Sequence, residues 1–405
     1  LTRGESCSYT KTHNSELTIS SLLTILRESW QDPVLRQWRW DRLRGRVKAN
    51  GAGWTARPGD LLVEGAALYR TGLAGNDEAK AAHGLRQMIT AAETSLGPSG
   101  ATREGSSLRQ RQLARVFADC WLTARSSGRP EQWRLAALAR AVIGAYDAMT
   151  LPGGLPEIGE APKGLNFRDP FTHLHDAERR ALDELRRQSR LVDLEILRQD
   201  GWLRLDVGPW SGLWHCPPGG WPAQGGLAHH DLGAPELHWQ GIPLFVDPGS
   251  GKPAGARHGG LSLDGHDPYP ETRGFYSHSF RQSIAGPAPE LRATHDGVRL
   301  AMDGFGRFGG HRQIERHWHF DGPGLILDDI VLGTGRPRIE RRLITPWTVE
   351  QSETGLTLSQ GEHRLLLTGD SAVSLQRGDL LTTILFKSRA NLPWRGSLSV
   401  RPVSA

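Results

Sequence analysis

Between residues 225 and 250 the chain reads GGLAHHDLGAPELHWQGIPLFVDPGS, which sets His229, His230, Asp231, His238 and Asp247 in one short run; His258 follows in ARHGGLSLDG. Imidazoles and carboxylates at this density suit two kinds of chemistry, holding a divalent metal and moving protons near neutral pH. Read at period two, residues 234–238 and 242–246 are adjacent strands with a tight turn at Trp239, Gln240 and Gly241. That hairpin folds Asp247 back toward His229 and His230, and His258 enters the next strand. Two histidines and one aspartate from three neighbouring strand ends make a three-ligand set of the kind zinc accepts. His230 and Asp231 point to opposite faces of an extended chain, so only one of them can join it. The competing reading has hydrogen-bonded histidines and an aspartate that opens a Val-Asp-Pro-Gly turn.

The elements that must position these groups change character near residue 200. Over residues 18–197 apolar positions recur at three and four, as in Leu61, Leu62, Leu68, Tyr69 and in Leu135, Leu138, Ala139, Val142, Ile143, which predicts a series of amphipathic helices. Gly and Pro clusters at 51–59, 97–100, 128–130 and 151–163 punctuate them. Beyond Trp202 the period becomes two, in LRLDV, LSLDG, LILDDIVL, RRLITP and LLTTILF. Many short strands separated by Gly, Asp and Pro predict an antiparallel β-sandwich. The expected division is a helical layer at 1–198 and a β-sandwich at 199–405. In FTHLHDAE, His173 and His175 precede Asp176 and Glu178, the pattern of a helix start. His317 and His319 alternate onto one face of a strand, where exposed histidines are expected.

At 405 residues the chain has room for more than one core, and its formal charge of +5 gives a mild preference for an anionic partner. No apolar run approaches the ~20 residues of a membrane span. An early apolar patch at 19–26 is short and broken by serines, which does not read as a signal peptide. Fourteen tryptophans offer indole faces for sugar rings or for packing. Trp210 and Trp214, in VGPWSGLWHCPPGGW, are set among Gly and Pro, so an exposed loop and sugar stacking are expected of them. Cys7, Cys120 and Cys216 are too scattered for a disulfide framework. Cys120 reads as core; Cys216, beside His215, could offer a metal a thiolate.

The hairpin ending in Asp-Pro-Gly, the His-x-Asp element before it and the downstream His258 resemble the heparinase II/III family of polysaccharide lyases. Asp264-Gly265 with Gly274-Phe275, the paired strands of HRQIERHWHFDGPGLILDDIVLGTG, Asp200-Gly201-Trp202, and SGATREGSSLRQRQLARVFADCW followed by LPGGLPEIGE are also similar to that family, over roughly residues 50 to 345. The resemblance implies an incomplete α/α toroid followed by an antiparallel β-sandwich. It also implies a structural divalent metal, zinc, on His229, Asp247 and His258. The implied partner is an acidic, uronate-containing polysaccharide rather than nucleic acid, in the periplasm or cell envelope. A full toroid needs more helical hairpins than this chain supplies, which implies a truncated N-terminus or a reduced toroid.

A lyase acting on a uronate must neutralise the C6 carboxylate, remove the C5 proton and help O4 leave. The family uses an Asn or His, a Tyr, and a His ahead of the metal-binding His. Here Arg57-Pro58-Gly59-Asp60 stands in place of the first, Leu227 in place of the last, and Glu104, Ser106, Ser107, Arg109 and Gln110 where the tyrosine segment would be. Arg109 cannot be a base, but its guanidinium can clamp a carboxylate, with Glu104 or His230 as the base. Alternatively Arg103, Arg109, Arg111 and Arg115 form the charged face of a helix. The expected activity is β-elimination on an acidic glycan. The alternatives are a catalytically degenerate carbohydrate-binding component of exopolysaccharide biosynthesis or export, and a uronyl C5-epimerase.

Overall fold

The computed structural model describes residues 58–159, 169–188, 192–218, 231–248, 258–269, 280, 283, 286–310 and 312–403. Among them the helices α1 (Pro58–Ala74), α2 (Glu78–Ser95), α3 (Ser107–Ser126), α4 (Gln132–Met149), α5 (Asp176–Arg187) and α6 (Leu194–Gln199) precede every named strand. The predicted apolar spacing is what buries Leu62 and Tyr69 on α1 and Leu135, Ala139, Val142 and Ile143 on α4. Asp77 caps α2 by accepting from Lys80 N at 2.9 Å, and Ser106 caps α3 by accepting from Arg109 N. α1 and α2 touch backbone to backbone, because a Cβ at Gly65, Gly72 or Gly84 would lie 2.3–2.6 Å from a main-chain nitrogen of the partner. His175 occupies the start of α5, where its N–H donates to Glu178, but His173 does not cap: its Nε2 lies 2.9 Å from Asp119 on α3.

Strands β1 (Trp202–Val207), β2 (Trp210–His215), β3 (Glu236–Trp239) and β4 (Ile242–Phe245) form an antiparallel sheet in that order. The predicted hairpin is β3–β4. Its turn is Gln240-Gly241, both at positive φ (48° and 78°), the geometry that matches strand twist, while Trp239 belongs to the strand. A second sheet runs β14 (Ala372–Arg377), β15 (Thr382–Arg389), β10 (Arg338–Thr345), β5 (Gly260–Leu263). The third has eight strands: β11 (Thr348–Ser352), β12 (Gly355–Gln360), β13 (His363–Gly369), β16 (Trp394–Pro402), β9 (Gly324–Val331), β8 (Ile314–Asp321), β7 (Gly297–Met302) and β6 (Glu290–Ala293). The expected order, helices and then antiparallel strands, is the order observed.

The first sheet lies between two cores. Trp202 and Leu213 belong to the core that the helices enclose, whereas Leu203, Trp210, Trp214 and Leu237 belong to the core of the large sheets. Every residue of β2 is therefore buried. This corrects the expectation for Trp210 and Trp214, which are 2% and 1% exposed. Trp210 packs edge-on against Trp239 and donates Nε1–H to Pro323 O; Trp214 packs edge-on against Trp318. Neither indole presents a face to solvent, because a strand with cores on both sides uses all its side chains for packing.

Polar ties join the helical part to the strands. Arg204 on β1 donates to Ala148 O and Thr150 O at the end of α4, where the last carbonyls lack helical partners. Asp200, just before β1, accepts from Ser99 N at 2.8 Å and from Ser99 Oγ. Asp200→Ala would leave both donors buried and unpaired, and a loss of about 3 kcal/mol is expected in urea denaturation.

Candidate functional site

Two clusters of ionisable groups meet at the seam between helices and strands, and the connection after α4 joins them. Leu151 and Gly154 close a tight turn through reciprocal backbone hydrogen bonds. Ile158 O then accepts from Ser107 N and Oγ at the start of α3, and Gly159, at φ 83°, passes so close to Gly105 that a Cβ would meet its carbonyl.

On the helical side Arg109 is 6% exposed. Its Nε donates to Glu104 Oε2 at 2.9 Å, one terminal nitrogen to Asp60 Oδ1 at 2.6 Å and the other to Gln112 Oε1 at 2.8 Å. Glu104 Oε1 in turn accepts from Gly59 N in the first turn of α1. Burial disfavours the guanidinium, but Glu104 and Asp60 outweigh it and hold the charge above the ordinary arginine range. Two corrections follow. Arg109 is no solvated helix face, and its fork already grips two carboxylates of this chain, which leaves it no clamp for a substrate acid. Glu104 is 5% exposed and takes donors from Arg109 and Gly59, so it is not poised as a free base.

On the strand side Asp247 and His258 meet because one strand holds the flanks of both. Val246 N donates to Ile344 O on β10, and β5 pairs with β10 so that Gly260 faces Arg342. His258 Nδ1 and Asp247 Oδ2 are 2.7 Å apart, both residues are buried, and Arg342 donates to His258 O. Burial alone would lower the imidazole, but the charge and hydrogen bond of Asp247 raise it to about 9. Asp267 nearby is pushed up by burial despite Arg342 and His258. A carboxylate on Nδ1 is the arrangement that orients an imidazole to offer Nε2 to a metal. The pair brings an imidazole and a carboxylate, two donor types a zinc ion takes, to adjoining loop ends. Among the described residues no group of three His, Cys, Asp or Glu side chains is placed to hold an ion. His229 and His230 lie outside the described residues. Burial pushes the Cys216 thiol up to about 12, and its Sγ sits 3.7 Å from Pro289 O.

Glu236, His238 and Glu157, which the sequence reading did not select, complete the seam. Glu236 and His238 on β3 are buried, with His238 Nε2 3.1 Å from Glu236 Oε1. Gly153 N donates to His238 Nδ1 and Glu157 N donates to Glu236 Oε2. Because Nδ1 accepts, Nε2 carries the proton and donates to Glu236. The Glu157 carboxyl is half-buried; desolvation first, then the charges of Glu236 and Asp247, raise it to about 8. The only sequence signal was the alternation of Glu236 and His238 onto one face of the predicted strand. Elsewhere, His317 and His319 share a face of β8 as expected, and both lie against the Asp296 carboxylate, at 3.5 and 2.6 Å.

No protein-family model matches the chain, and no curated protein matches it. Solved structures do. A heparinase III with methylated lysines aligns at TM-score 0.61 and 14% identity, over 92% of this chain and 63% of its own. The heparan sulfate lyase HepC from Pedobacter heparinus aligns at TM-score 0.58 and 12% identity, over 92% of this chain and 64% of its own. A further heparinase III structure gives TM-score 0.58 at 14% identity, over 85% of this chain and 61% of that one. The chain spans just under two thirds of the length of these proteins, and its fold is heparinase II/III-like.

Arg109→Ala is expected to cost about 3–5 kcal/mol in urea denaturation, because Glu104 and Asp60 lose the charge that compensates them. In protein stripped of divalent metal by chelation, His258 contributes stability that is fully present below its unfolded value near 6.5 and lost as pH rises through about 9. Melting temperature followed across that window is expected to fall in the wild type and to flatten in His258→Gln.

Proposed function

We propose that the chain is a polysaccharide lyase-like protein that acts on an acidic, uronate-containing glycan by β-elimination. The observation that carries this reading is the seam itself: carboxylates and imidazoles of opposite protonation preference converge between helices and strands, in a chain that shares 92% of its length with the fold of heparinase III. Elimination needs positive charge near the C6 carboxylate and a group that exchanges a proton at C5. Groups whose titration is pushed toward neutrality by burial suit the second task.

The helices of such a protein would be part of an incomplete α/α toroid. No helix among the described residues is long and apolar enough to cross a membrane, and a periplasmic or cell-envelope location belongs to the same proposal. A structural divalent ion, zinc, would be held by His258 and Asp247 with His229. When bound, it would fix the loop ends of β4 and β5 against each other.

One observation favours the second reading, a catalytically degenerate carbohydrate-binding protein of exopolysaccharide biosynthesis or export. Arg109 stands where the family places its tyrosine, and its donors are committed to Glu104, Asp60 and Gln112. Ultraviolet absorbance of the unsaturated uronate product separates the two. Incubation with a panel of uronate-containing glycans is expected to give a steady rise on at least one of them. A flat trace with glycan binding retained moves the second reading, or C5 epimerisation, into first place. His258→Ala is expected to lower bound metal and melting temperature together; unchanged metal content overturns the ion site.

A further inference from the structure

We infer that Glu157 is the carboxylate that takes the C5 proton, carried on a mount made by Glu236 and His238. This deepens the elimination reading and rests on it.

The mount is unusual in what it grips. Glu236 and His238 are 4% and 0% exposed, yet both spend hydrogen bonds on the main chain of a loop that belongs to the helical part. His238 takes the N–H of Gly153 at 3.2 Å, Glu236 takes the N–H of Glu157 at 3.0 Å, and the two residues bond to each other at 3.1 Å. The fit is close: a Cβ at Gly153 would lie 2.7 Å from His238 Nδ1 and 2.6 Å from Gly241 O. On its other side the loop is pinned by Ser107 to Ile158 O. The backbone around Glu157 is thus fixed from both layers. Its carboxyl has no hydrogen-bond partner among the described residues and remains half-exposed. A buried carboxylate placed behind another carboxyl, without a cation between them, works against ionisation of the front one. For a structural role that is a cost, and for a base it tunes proton affinity toward working pH. The charged groups that face Glu157 are Glu236 from β3 and Asp247 from the end of β4. On the Ser107 side the charged groups are Arg109 and Glu104, paired with each other, and Asp60, which also pairs with Arg109.

In the step assigned to it, Glu157 takes the proton from C5 and the C–H electron pair becomes the C4–C5 double bond. The C4–O4 bond breaks, its electron pair leaves on O4, and O4 takes a proton from water. The base must be ionised to start. Elimination by the wild type is therefore expected to rise with pH and level off above about 8. Glu236→Gln keeps the shape and an acceptor for Glu157 N but removes the charge, so the rise is expected to move to lower pH, which a merely structural contact would not do.

Turnover against pH should be measured for the wild type, Glu157→Gln and Glu236→Gln, with glycan binding measured calorimetrically beside it. The proposal expects Glu157→Gln to lose at least about 100-fold in turnover while still binding the glycan. Wild-type turnover in Glu157→Gln, or a wild-type profile with no rise near 8, overturns it. If the wild type eliminates no glycan, the lyase reading fails separately. Glu157 is then judged by carboxyl-carbon NMR titration: a midpoint near 8 that falls in Glu236→Gln sustains a tuned proton-exchanging carboxyl, and an ordinary glutamate midpoint overturns it.

Discussion

Strand β10 is the constraint on which the strand side of the seam depends. It hydrogen-bonds β5 along one edge and β15 along the other, and at its C-terminal end Ile344 O takes the N–H of Val246. Trp347, just beyond it, donates its indole N–H to Pro243 O on β4. The β3–β4 hairpin and the start of β5 are therefore referred to one strand, and Asp247 and His258 follow as its dependants. Arg342 on the same strand completes the arrangement by donating to His258 O.

The second organising feature is the burial on both faces of β2 and β3, the middle strands of the first sheet. It converts an element that would ordinarily show water one side into a wall shared by two cores. Polar groups placed in that wall must find partners inside the protein, which is why Glu236 and His238 bond each other and reach for loop N–H groups. Burial of the Glu157 carboxyl, with the charges of Glu236 and Asp247 beside it, is then what raises its proton affinity at the seam. The chemistry proposed for Glu157 is a by-product of the same layering that buries Trp210 and Trp214.

The fold was largely legible in the sequence. The change from a three-four period to a period of two near residue 200 marks where helices stop, and Gln240-Gly241 at the centre of an alternating run gives the hairpin. From the sequence, that hairpin carries Asp247 toward His229 and His230, which lie outside the described residues, whereas its meeting with His258 depends on β10, far along the chain. What failed did so for want of long-range information. Gly and Pro beside Trp210 and Trp214 signal turns, but nothing local says that the strand between those turns has a core on each side. Arg109 read as a clamp or a surface charge because its partner Asp60 lies a helix away. Glu157 carried no signal, since its character comes from Glu236 across the seam and from its placement on a loop whose neighbours are all distant in the chain.

The glycine contacts between α1 and α2 bear on the buried ions as well. At Gly65, Gly72 and Gly84 main-chain atoms of the two helices meet directly, and any larger residue there would force the helices apart. The first turn of α1 carries Gly59 and Asp60, the partners of Glu104 and Arg109. Three positions without side chains thus act as a gauge block for a charge network they never touch. Variation there would shift Gly59 and Asp60 against the head of α3 as well as open the helix packing.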